Sequence, residues 1–333
     1  MLAVKALALS ALCLALPDGA SQEEAPSQRE APSQREAPPS DAPGGKSFQI
    51  RVDMVSLPVV VTTAAGGYVT DLRREDFRVL DDGVPQEIAA FASVEEPVSV
   101  ALMLDTSDSM RKHEGIIRNE ATRFVGFLKK EDRLAILSFN DDVVLWEPFS
   151  LYGNKNPAAL GRMEFKGMSA VYEAVWLGLE QVLRHEYGRK ALVVFSDGID
   201  TRSRTVTEEE TLRLARETEA AIYAVCFRPA ERTFGRFPAP GGGGARAGNE
   251  AGRAYLARLA GSSGGTLAEA RKTDDLSTAF RKIARELSSR YSIGYYPSNL
   301  ERNGAFHRVE VRLKRNGHTV RTREGYYAPR PDR

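Results

Sequence analysis

The chain has 333 residues, of which 42% are hydrophobic and 27% are charged. This composition is sufficient to bury a full core, and it excludes a disordered protein. Because 46 lysines and arginines face 45 acids, for a net charge of +1, no overall field attracts the whole chain to nucleic acid or to an anionic bilayer. We therefore predict no nucleic-acid partner, and any electrostatic specificity must be local.

The N-terminus has the pattern of a secretory signal. Lys5 precedes the apolar stretch Ala6–Leu16, which is too short for an ordinary membrane span. We predict a signal peptide over residues 1–20, no membrane span after its removal, and a secreted, periplasmic or cell-surface location. The segment Ser10–Cys13 only loosely resembles a bacterial lipoprotein box, because Leu12 is bulky where a small residue is needed. Lipoprotein anchoring is therefore the weaker alternative.

A polar tract follows the signal. Residues 21–47 are rich in Pro, Ser, Glu, Gln and Arg, and Glu-Ala-Pro-Ser-Gln-Arg occurs twice, at residues 24–29 and 30–35. Such a tract cannot bury enough apolar surface to order itself. We interpret it as a disordered tether.

Removal of the signal would take Cys13 with it and leave Cys226 as the last cysteine. One thiol cannot form an intrachain disulfide. Cys226 lies in the apolar run Ile222–Phe227, so we expect a buried small side chain rather than a nucleophile.

Both ends of the remaining chain have the alternation of β-hairpins. In residues 48–96 the alternating runs turn at glycine pairs, and in residues 291–330 two alternating strands flank Asn316-Gly317, a strong hairpin signal. Neither segment has enough strands for a sheet of its own. We predict that the two pair as one small antiparallel β unit, with the domain at residues 97–290 inserted between them.

Residues 97–290 alternate between apolar strands and amphipathic helices. The pattern predicts strands at residues 98–104, 134–139, 143–146, 191–195, 221–227 and 266–268, and helices near 117–128, 171–183, 212–220, 251–260 and 276–287. Continuously apolar strands in a repeated β-α-β order indicate an α/β fold with a doubly wound, mostly parallel sheet covered on both faces. The glycine-rich stretch at residues 235–249 lacks the Lys-Ser/Thr ending of a phosphate loop, and we predict a mobile loop there.

Oxygen-bearing side chains occur where two of these strands end. Asp105, Ser107 and Ser109 stand at alternate positions after the first strand, where three oxygens can turn toward one hard cation. Asp197 occupies the corresponding end of another strand, and Ser169 opens a helix between them. Taken singly, the first segment is often only a helix cap and Asp197-Gly198 only a turn. Their conjunction at equivalent strand ends favours a binding site.

The segments at residues 102–110, 167–174 and 194–200 resemble, in that order, the three loops of a von Willebrand factor type A domain. The resemblance covers residues 97–290 and implies a Rossmann-like fold. The flanking segments resemble those of an exported subgroup of this family known largely from acidobacteria.

The resemblance implies a metal-ion-dependent adhesion site. Ser107 and Ser109 would be direct hydroxyl ligands, Ser169 would stand where the family usually has Thr, and Asp105 and Asp197 would bind directly or through water. Five oxygen donors without His or Cys suit a hard divalent ion, with Mg²⁺ first and Mn²⁺ or Ca²⁺ as alternatives. Three neutral hydroxyls leave positive charge on the ion, which an Asp or Glu carboxylate of a protein partner would neutralise. The predicted function is therefore adhesion or protein binding.

Two residues depart from the family pattern. Asp108 stands where the family usually has Gly. Its side chain either points to solvent or adds negative charge that would strengthen metal binding while weakening an acidic ligand. Ser169 keeps the hydroxyl of Thr but lacks the methyl group that restricts its rotamers.

The four histidines do not have the spacing of metal ligands, and we predict that they are surface residues: His113, His185, His307 and His318.

An enzymatic alternative is a Mg²⁺-dependent phosphohydrolase of the haloacid-dehalogenase type, with Asp105 as nucleophile. That chemistry needs a second carboxylate two residues on as general acid, and Ser107 is there instead. No Gly-x-Ser-x-Gly segment occurs at the strand ends either. We therefore predict a non-enzyme, with a scaffold or assembly factor for an envelope complex as a further alternative.

Overall fold

The computed structural model describes residues 5–6, 54–149, 158–228 and 242–330. The predicted signal peptide and tether lie outside these ranges, apart from Lys5 and Ala6, which form a two-residue strand. Part of the predicted glycine-rich loop, residues 235–241, also lies outside them.

The described strands and helices alternate in the central part of the chain. The strands are β1 (Lys5–Ala6), β2 (Val55–Thr63), β3 (Phe77–Asp81), β4 (Val84–Gln86), β5 (Ile88–Ala92), β6 (Val98–Asp105), β7 (Arg133–Phe139), β8 (Val143–Glu147), β9 (Arg189–Ser196), β10 (Ala221–Phe227), β11 (Leu267–Ala270), β12 (Arg290–Tyr295), β13 (Phe306–Leu313), β14 (His318–Arg321) and β15 (Gly325–Tyr327). The helices are α1 (Glu114–Phe127), α2 (Ala158–Gly161), α3 (Val171–Leu177), which continues with π-helical pairing over Gly178–Leu183, α4 (Glu208–Glu217), α5 (Gly242–Ser262) and α6 (Thr273–Leu287). Among the helices of the described ranges, none has the length and apolar character needed to cross a bilayer.

The central strands form one sheet in the order β1-β8-β7-β6-β9-β10-β11, in which β7 and β8 pair antiparallel and the other neighbours run parallel. Strands β6 and β9 are buried along their whole length. On one face the core includes Phe124 of α1 and Phe280 of α6, and on the other it includes Val175 of α3 and Leu256 of α5. The predicted doubly wound α/β fold is confirmed, because helices cover both faces of a mostly parallel sheet.

Strands from the two chain ends form the predicted antiparallel β unit. Two four-stranded sheets have the orders β14-β2-β12-β5 and β15-β13-β3-β4, again within the described residues. Each sheet mixes strands from before and after the central domain, with β2 beside β12 and β3 beside β13. Their shared core contains Tyr291, Tyr295 and Val311. Neither chain end could form this core alone, because each supplies only part of both sheets.

The boundaries of two central helices differ from the prediction. Helix α5 begins at Gly242 rather than near Ala251, so the part of the predicted mobile loop at residues 242–249 is helical. A glycine costs a helix only about 1 kcal/mol relative to Ala, and burial of residues such as Tyr255 and Leu256 later in α5 supports the whole helix. Helix α4 begins at Glu208 and ends at Glu217, earlier than predicted. Its start is set by Thr207, whose hydroxyl accepts a hydrogen bond from the Glu210 amide.

The prediction that all four histidines are surface residues is wrong for His307. This side chain is only 5% exposed, because residues of β13 alternate between the two faces of the sheet and His307 shares the inner face with Val309 and Val311. The prediction for Cys226 is confirmed. Cys226 is buried without a disulfide, and burial raises the pKa of its thiol to about 11.

Candidate metal centre

The candidate site lies where two central strands end side by side. Strands β6 and β9 pair in parallel, with Leu104 opposite Phe195, so their carboxyl ends lie at the same edge of the sheet. Asp105 is the last residue of β6, and Asp197 directly follows β9. This is the edge at which open α/β sheets bind ligands.

Asp105 lies at the bottom of the site. Its side chain is fully buried, and Oδ1 accepts a hydrogen bond from the Ser107 amide at 3.0 Å. Oδ2 accepts hydrogen bonds from the hydroxyls of Ser169 at 3.0 Å and Ser196 at 2.6 Å. Three separate segments of the chain therefore converge on one carboxylate.

A second series of contacts leads from the interior to the surface. The hydroxyls of Ser107 and Ser109 lie 3.1 Å apart, and Ser109 donates to Asp197 Oδ2 at 3.0 Å. Asp197 Oδ1 accepts from the Ile199 amide at 3.0 Å. Ser109 is exposed, whereas Ser107 and Asp197 are buried. Solvent therefore reaches this cluster from the side of Ser109.

The structure places all five predicted ligands close together. Asp105 holds Ser169 directly and Ser107 through its backbone, while Ser109 joins Ser107 to Asp197. The set contains only carboxylate and hydroxyl oxygens, which are the ligands of hard divalent cations. The donor chemistry therefore fits the predicted class of ion.

Both acids are shifted toward the protonated form. Burial, and then the charge of Asp197, raise the pKa of Asp105 to about 6. Burial likewise raises the pKa of Asp197. Two carboxylates at the end of a buried sheet thus repel each other, and a proton or a cation is needed to relieve the repulsion.

The loop after β6 is tied to its neighbours through the backbone. The Thr106 amide donates to the Phe139 carbonyl at 2.8 Å, and the Asp108 amide donates to the Gly167 carbonyl at 2.9 Å. Gly167 has a φ of +76°, and a Cβ there would overlap the Asp141 carboxylate. The backbone conformation therefore favours glycine beside the site, whereas the Asp141 side chain could move to make space.

Sequence reasoning missed three side chains that support the site: two contact predicted ligands and one contacts the start of α3. Ser196 donates to Asp105, Thr201 Oγ1 accepts from the Ser169 amide at 2.9 Å, and Asp200 accepts from the Tyr172 amide at 3.0 Å at the start of α3. Ser196 and Asp200 flank Asp197 at a strand end, which is a weak signal. The Thr201 contact spans 32 residues and could not be read from spacing.

The acidic residue that departs from the family pattern faces solvent. The side chain of Asp108 is 64% exposed, and its carboxylate lies 3.8 Å from Arg111. Met168, on the loop before Ser169, is also exposed, at 45%. The rim of the site therefore offers a charged pair and an apolar side chain to an approaching molecule.

The environment of Asp105 does not suit a nucleophile. The side chain is inaccessible, and Oδ2 already accepts two hydroxyl hydrogen bonds. The hydroxyl of Ser107 contacts Ser109, at the position where a dehalogenase-type general acid would stand. The geometry thus favours ion binding over phosphoryl transfer.

Comparison with known proteins identifies one family. The model of the von Willebrand factor type A domain matches residues 99–295. A search of curated proteins finds no match.

Solved structures with similar folds include proteins from several organisms. BatB, a conserved hypothetical protein of Bacteroides thetaiotaomicron, is 20% identical with a TM-score of 0.41, over 57% of this chain and 97% of that chain. Proximal thread matrix protein 1 from the mussel byssus, with a zinc-occupied MIDAS motif, is 14% identical with a TM-score of 0.46, over 62% and 49%. A von Willebrand factor type A protein from Catenulispora acidiphila is 13% identical with a TM-score of 0.44, over 86% and 76%.

Proposed function

The chain belongs to the von Willebrand factor type A family, and from this premise we propose that it is an exported protein-binding module. In this proposal Asp105, Ser107, Ser109, Ser169 and Asp197 hold Mg²⁺, and the ion binds a carboxylate of a protein partner. The observation that carries the proposal is the convergence of these five oxygen-bearing side chains at the ends of β6 and β9.

The oxygen spacing is compatible with Mg²⁺. Mg²⁺ takes octahedral ligands at 2.0–2.1 Å, so adjacent ligand oxygens lie about 2.9 Å apart, whereas the longer bonds of Ca²⁺ separate them by about 3.3 Å or more. The Ser107 and Ser109 hydroxyls are 3.1 Å apart, and Ser109 Oγ lies 3.0 Å from Asp197 Oδ2. A small ion could therefore replace these hydrogen bonds with little movement of the loops.

An open side of the site supports an acidic ligand. Asp105 and Asp197 supply the only formal negative charges of the five proposed ligands, because the hydroxyls of Ser107, Ser109 and Ser169 are neutral donors. Because Ser109 is exposed, the solvent-facing position of the ion lies on its side of the site. A carboxylate arriving there would form a charge-assisted contact, with Met168 as apolar rim.

The proposal that the protein is exported depends on the predicted signal peptide at residues 1–20. The proposed tether at residues 21–47 would separate the binding module from the N-terminus of the chain. A tagged full-length chain should appear outside the cytoplasm. Retention in the cytoplasm would contradict this part of the proposal and leave the metal site untouched.

The central experiment compares Ser109→Ala with Ser298→Ala. Ser109 is a proposed ligand and Ser298 is an exposed serine of the β unit, so both variants should fold. We expect Mg²⁺ at 100 times its Kd to stabilise the wild type and Ser298→Ala by about 2.7 kcal/mol. In Ser109→Ala this stabilisation should shrink in a thermal-shift titration. Equal stabilisation of all three proteins would contradict the metal site.

Partner capture is tested separately. Immobilised protein should retain binding partners from the native extracellular fraction with Mg²⁺ and release them with a chelator. Ser109→Ala should retain much less.

A phosphatase assay tests the enzymatic alternative. The purified protein with Mg²⁺ should leave p-nitrophenyl phosphate intact, whereas hydrolysis that depends on Asp105 would support that alternative.

A further inference from the structure

A second group of side chains that can ligate a metal lies in the β unit, outside the central domain that contains the first site. Asp81 ends β3, Asp82 stands in the turn to β4, and His307 is the second residue of β13. One ligand atom from each lies within 4.8 Å of the other two. His307 Nδ1 is 3.0 Å from Asp82 Oδ2 and 3.4 Å from Asp81 Oδ1.

Asp81 has a buried oxygen without a partner. The residue is only 5% exposed, and its Oδ2 accepts hydrogen bonds from the hydroxyls of Tyr295 at 2.9 Å and Tyr326 at 2.8 Å. Its Oδ1 has no hydrogen-bond partner and faces His307. A buried carboxylate oxygen without a donor is costly, and it therefore indicates a missing positive ligand.

The surrounding groups offset only part of the negative charge. The Arg308 amide donates to Asp82 Oδ1 at 2.8 Å, and the buried guanidinium of Arg323 interacts electrostatically with Tyr295 and Tyr326. Among the described residues, the only ion pair of Asp81 is with His307, and Arg308 points to the exposed face of the strand. Burial raises the pKa of Tyr295 and of Tyr326 above the usual range, so both hydroxyls stay protonated and hold Asp81 as an acceptor. Two carboxylates therefore share one imidazole in this cluster.

We propose that Asp81, Asp82 and His307 form a second metal site that binds a borderline divalent ion, Zn²⁺, and ties the β3–β4 turn to β13. One imidazole nitrogen and two carboxylate oxygens are ligands that Zn²⁺ accepts, and ligand distances near 2.0–2.1 Å separate adjacent donors by roughly 2.9–3.4 Å. The two nitrogen-to-oxygen distances lie in this range. Asp82, with 52% of its side chain exposed, gives the ion a path from solvent, and the fourth position is left to water.

Zn²⁺ titration of the chelator-treated full chain tests the site. We expect two equivalents of Zn²⁺ in the wild type, one at each site. His307→Gln and Asp82→Asn should each bind one equivalent fewer, with affinity at the altered site reduced at least about 100-fold. Asp82 has a φ of +47°, and Asn tolerates that conformation well. Glu310→Gln, an exposed change on the same strand, should keep both equivalents.

The first site is removed separately by a Ser107→Ala and Ser109→Ala double variant, which should keep one equivalent of Zn²⁺. Failure of the proposed function would therefore leave this result unchanged. In the wild type, bound Zn²⁺ should shift the NMR resonances of the His307 ring. This measurement does not depend on whether any variant folds. The proposal is overturned if the double variant binds no Zn²⁺ or if His307→Gln and Asp82→Asn keep both equivalents. It is also overturned if added Zn²⁺ leaves the resonances of the His307 ring unchanged.

Discussion

At the scale of single residues, Asp105 carries the largest electrostatic cost in the candidate site. It is fully buried beside a second buried acid, and its hydrogen bonds offset only part of the cost of its charge. A bound cation would stabilise the ionised carboxylate of Asp105, as protonation does by removing its charge. Metal and proton should therefore compete for it.

This competition predicts opposite pH dependences with and without metal. Burial raises the pKa of Asp105 to about 6, whereas an unfolded chain has the ordinary value near 3.8. The folded protein thus binds more protons between these values, and its metal-free stability should fall as pH rises from about 4 to about 6, by up to about 3 kcal/mol. Added Mg²⁺ should stabilise the protein above about pH 6 and lose its effect below that pH.

Urea unfolding at several pH values, with chelator or Mg²⁺, measures both effects. Asp105→Asn removes the titrating group, so the difference between it and the wild type isolates this residue from other carboxylates. A wild type and an Asp105→Asn variant with the same pH dependence would contradict the assignment.

Asp108 should affect the partner more than the ion. Its side chain faces solvent beside Arg111 and makes no side-chain contact with the five proposed ligands. We expect Asp108→Asn to change Mg²⁺ affinity little and to strengthen binding of an acidic partner, because one repulsive charge at the rim is removed. The gain should shrink at high salt. Surface plasmon resonance at two ionic strengths measures this, and weaker binding by the variant would show that Asp108 contacts the partner directly.

At the scale of elements, burial determined what could be predicted. Strands β6, β9 and β10 are buried on both faces, so they appear in the sequence as continuous apolar runs, and both Asp105 and Asp197 could be placed at strand ends. The early start of α5 could not be predicted, because local glycine content opposes it and contacts made later in the helix decide it. The inward position of His307 follows from the alternation that it shares with Val309 and Val311. Its acidic neighbours could not be predicted, because they are more than 220 positions away in the chain.

Helix α5 also supports the candidate site through a close approach of two glycines. A Cβ at Gly252 would lie 2.7 Å from the Asp197 carbonyl oxygen, and a Cβ at Gly198 would overlap the Gly252 carbonyl. Gly198 also has a φ of +81°. The loop that presents Asp197 thus rests directly on the helix backbone.

We predict that Gly252→Ala weakens Mg²⁺ binding by displacing the Asp197 loop, and that it lowers the free energy of unfolding by about 1–3 kcal/mol through overpacking. The matched control is Gly126→Ala in α1, where a Cβ has open space. It should raise stability by up to about 1 kcal/mol and leave Mg²⁺ affinity unchanged. Urea unfolding and Mg²⁺ titration of both variants separate the two outcomes. Unchanged Mg²⁺ affinity in Gly252→Ala would show that the loop does not depend on this contact.

At the scale of the whole molecule, the central domain is bound to the β unit by buried charged groups. Arg189 of β9 donates to the carbonyls of Val94 at 3.1 Å and Leu287, which lie next to the two points where the chain crosses between the units. Arg290 of β12 donates to the Lys190 carbonyl at 2.7 Å. The described residues between 54 and 330 belong to one compact unit. Separation of the two parts would therefore expose the buried guanidinium groups of Arg189 and Arg290.

Glu286 of α6 is the acidic counterpart at this junction. It is 2% exposed, pairs with Arg321 of β14, and accepts a hydrogen bond from Tyr68 at 3.4 Å. We predict that the chain unfolds in one calorimetric transition. Glu286→Gln should lower the free energy of unfolding by about 1–3 kcal/mol, because Arg321 loses its charged partner but stays partly solvated. Glu310→Gln, which breaks an exposed pair with Arg312, should leave the transition unchanged. Two separate transitions in the wild type would show that the β unit and the central domain fold independently, and the junction contacts would then contribute little to stability.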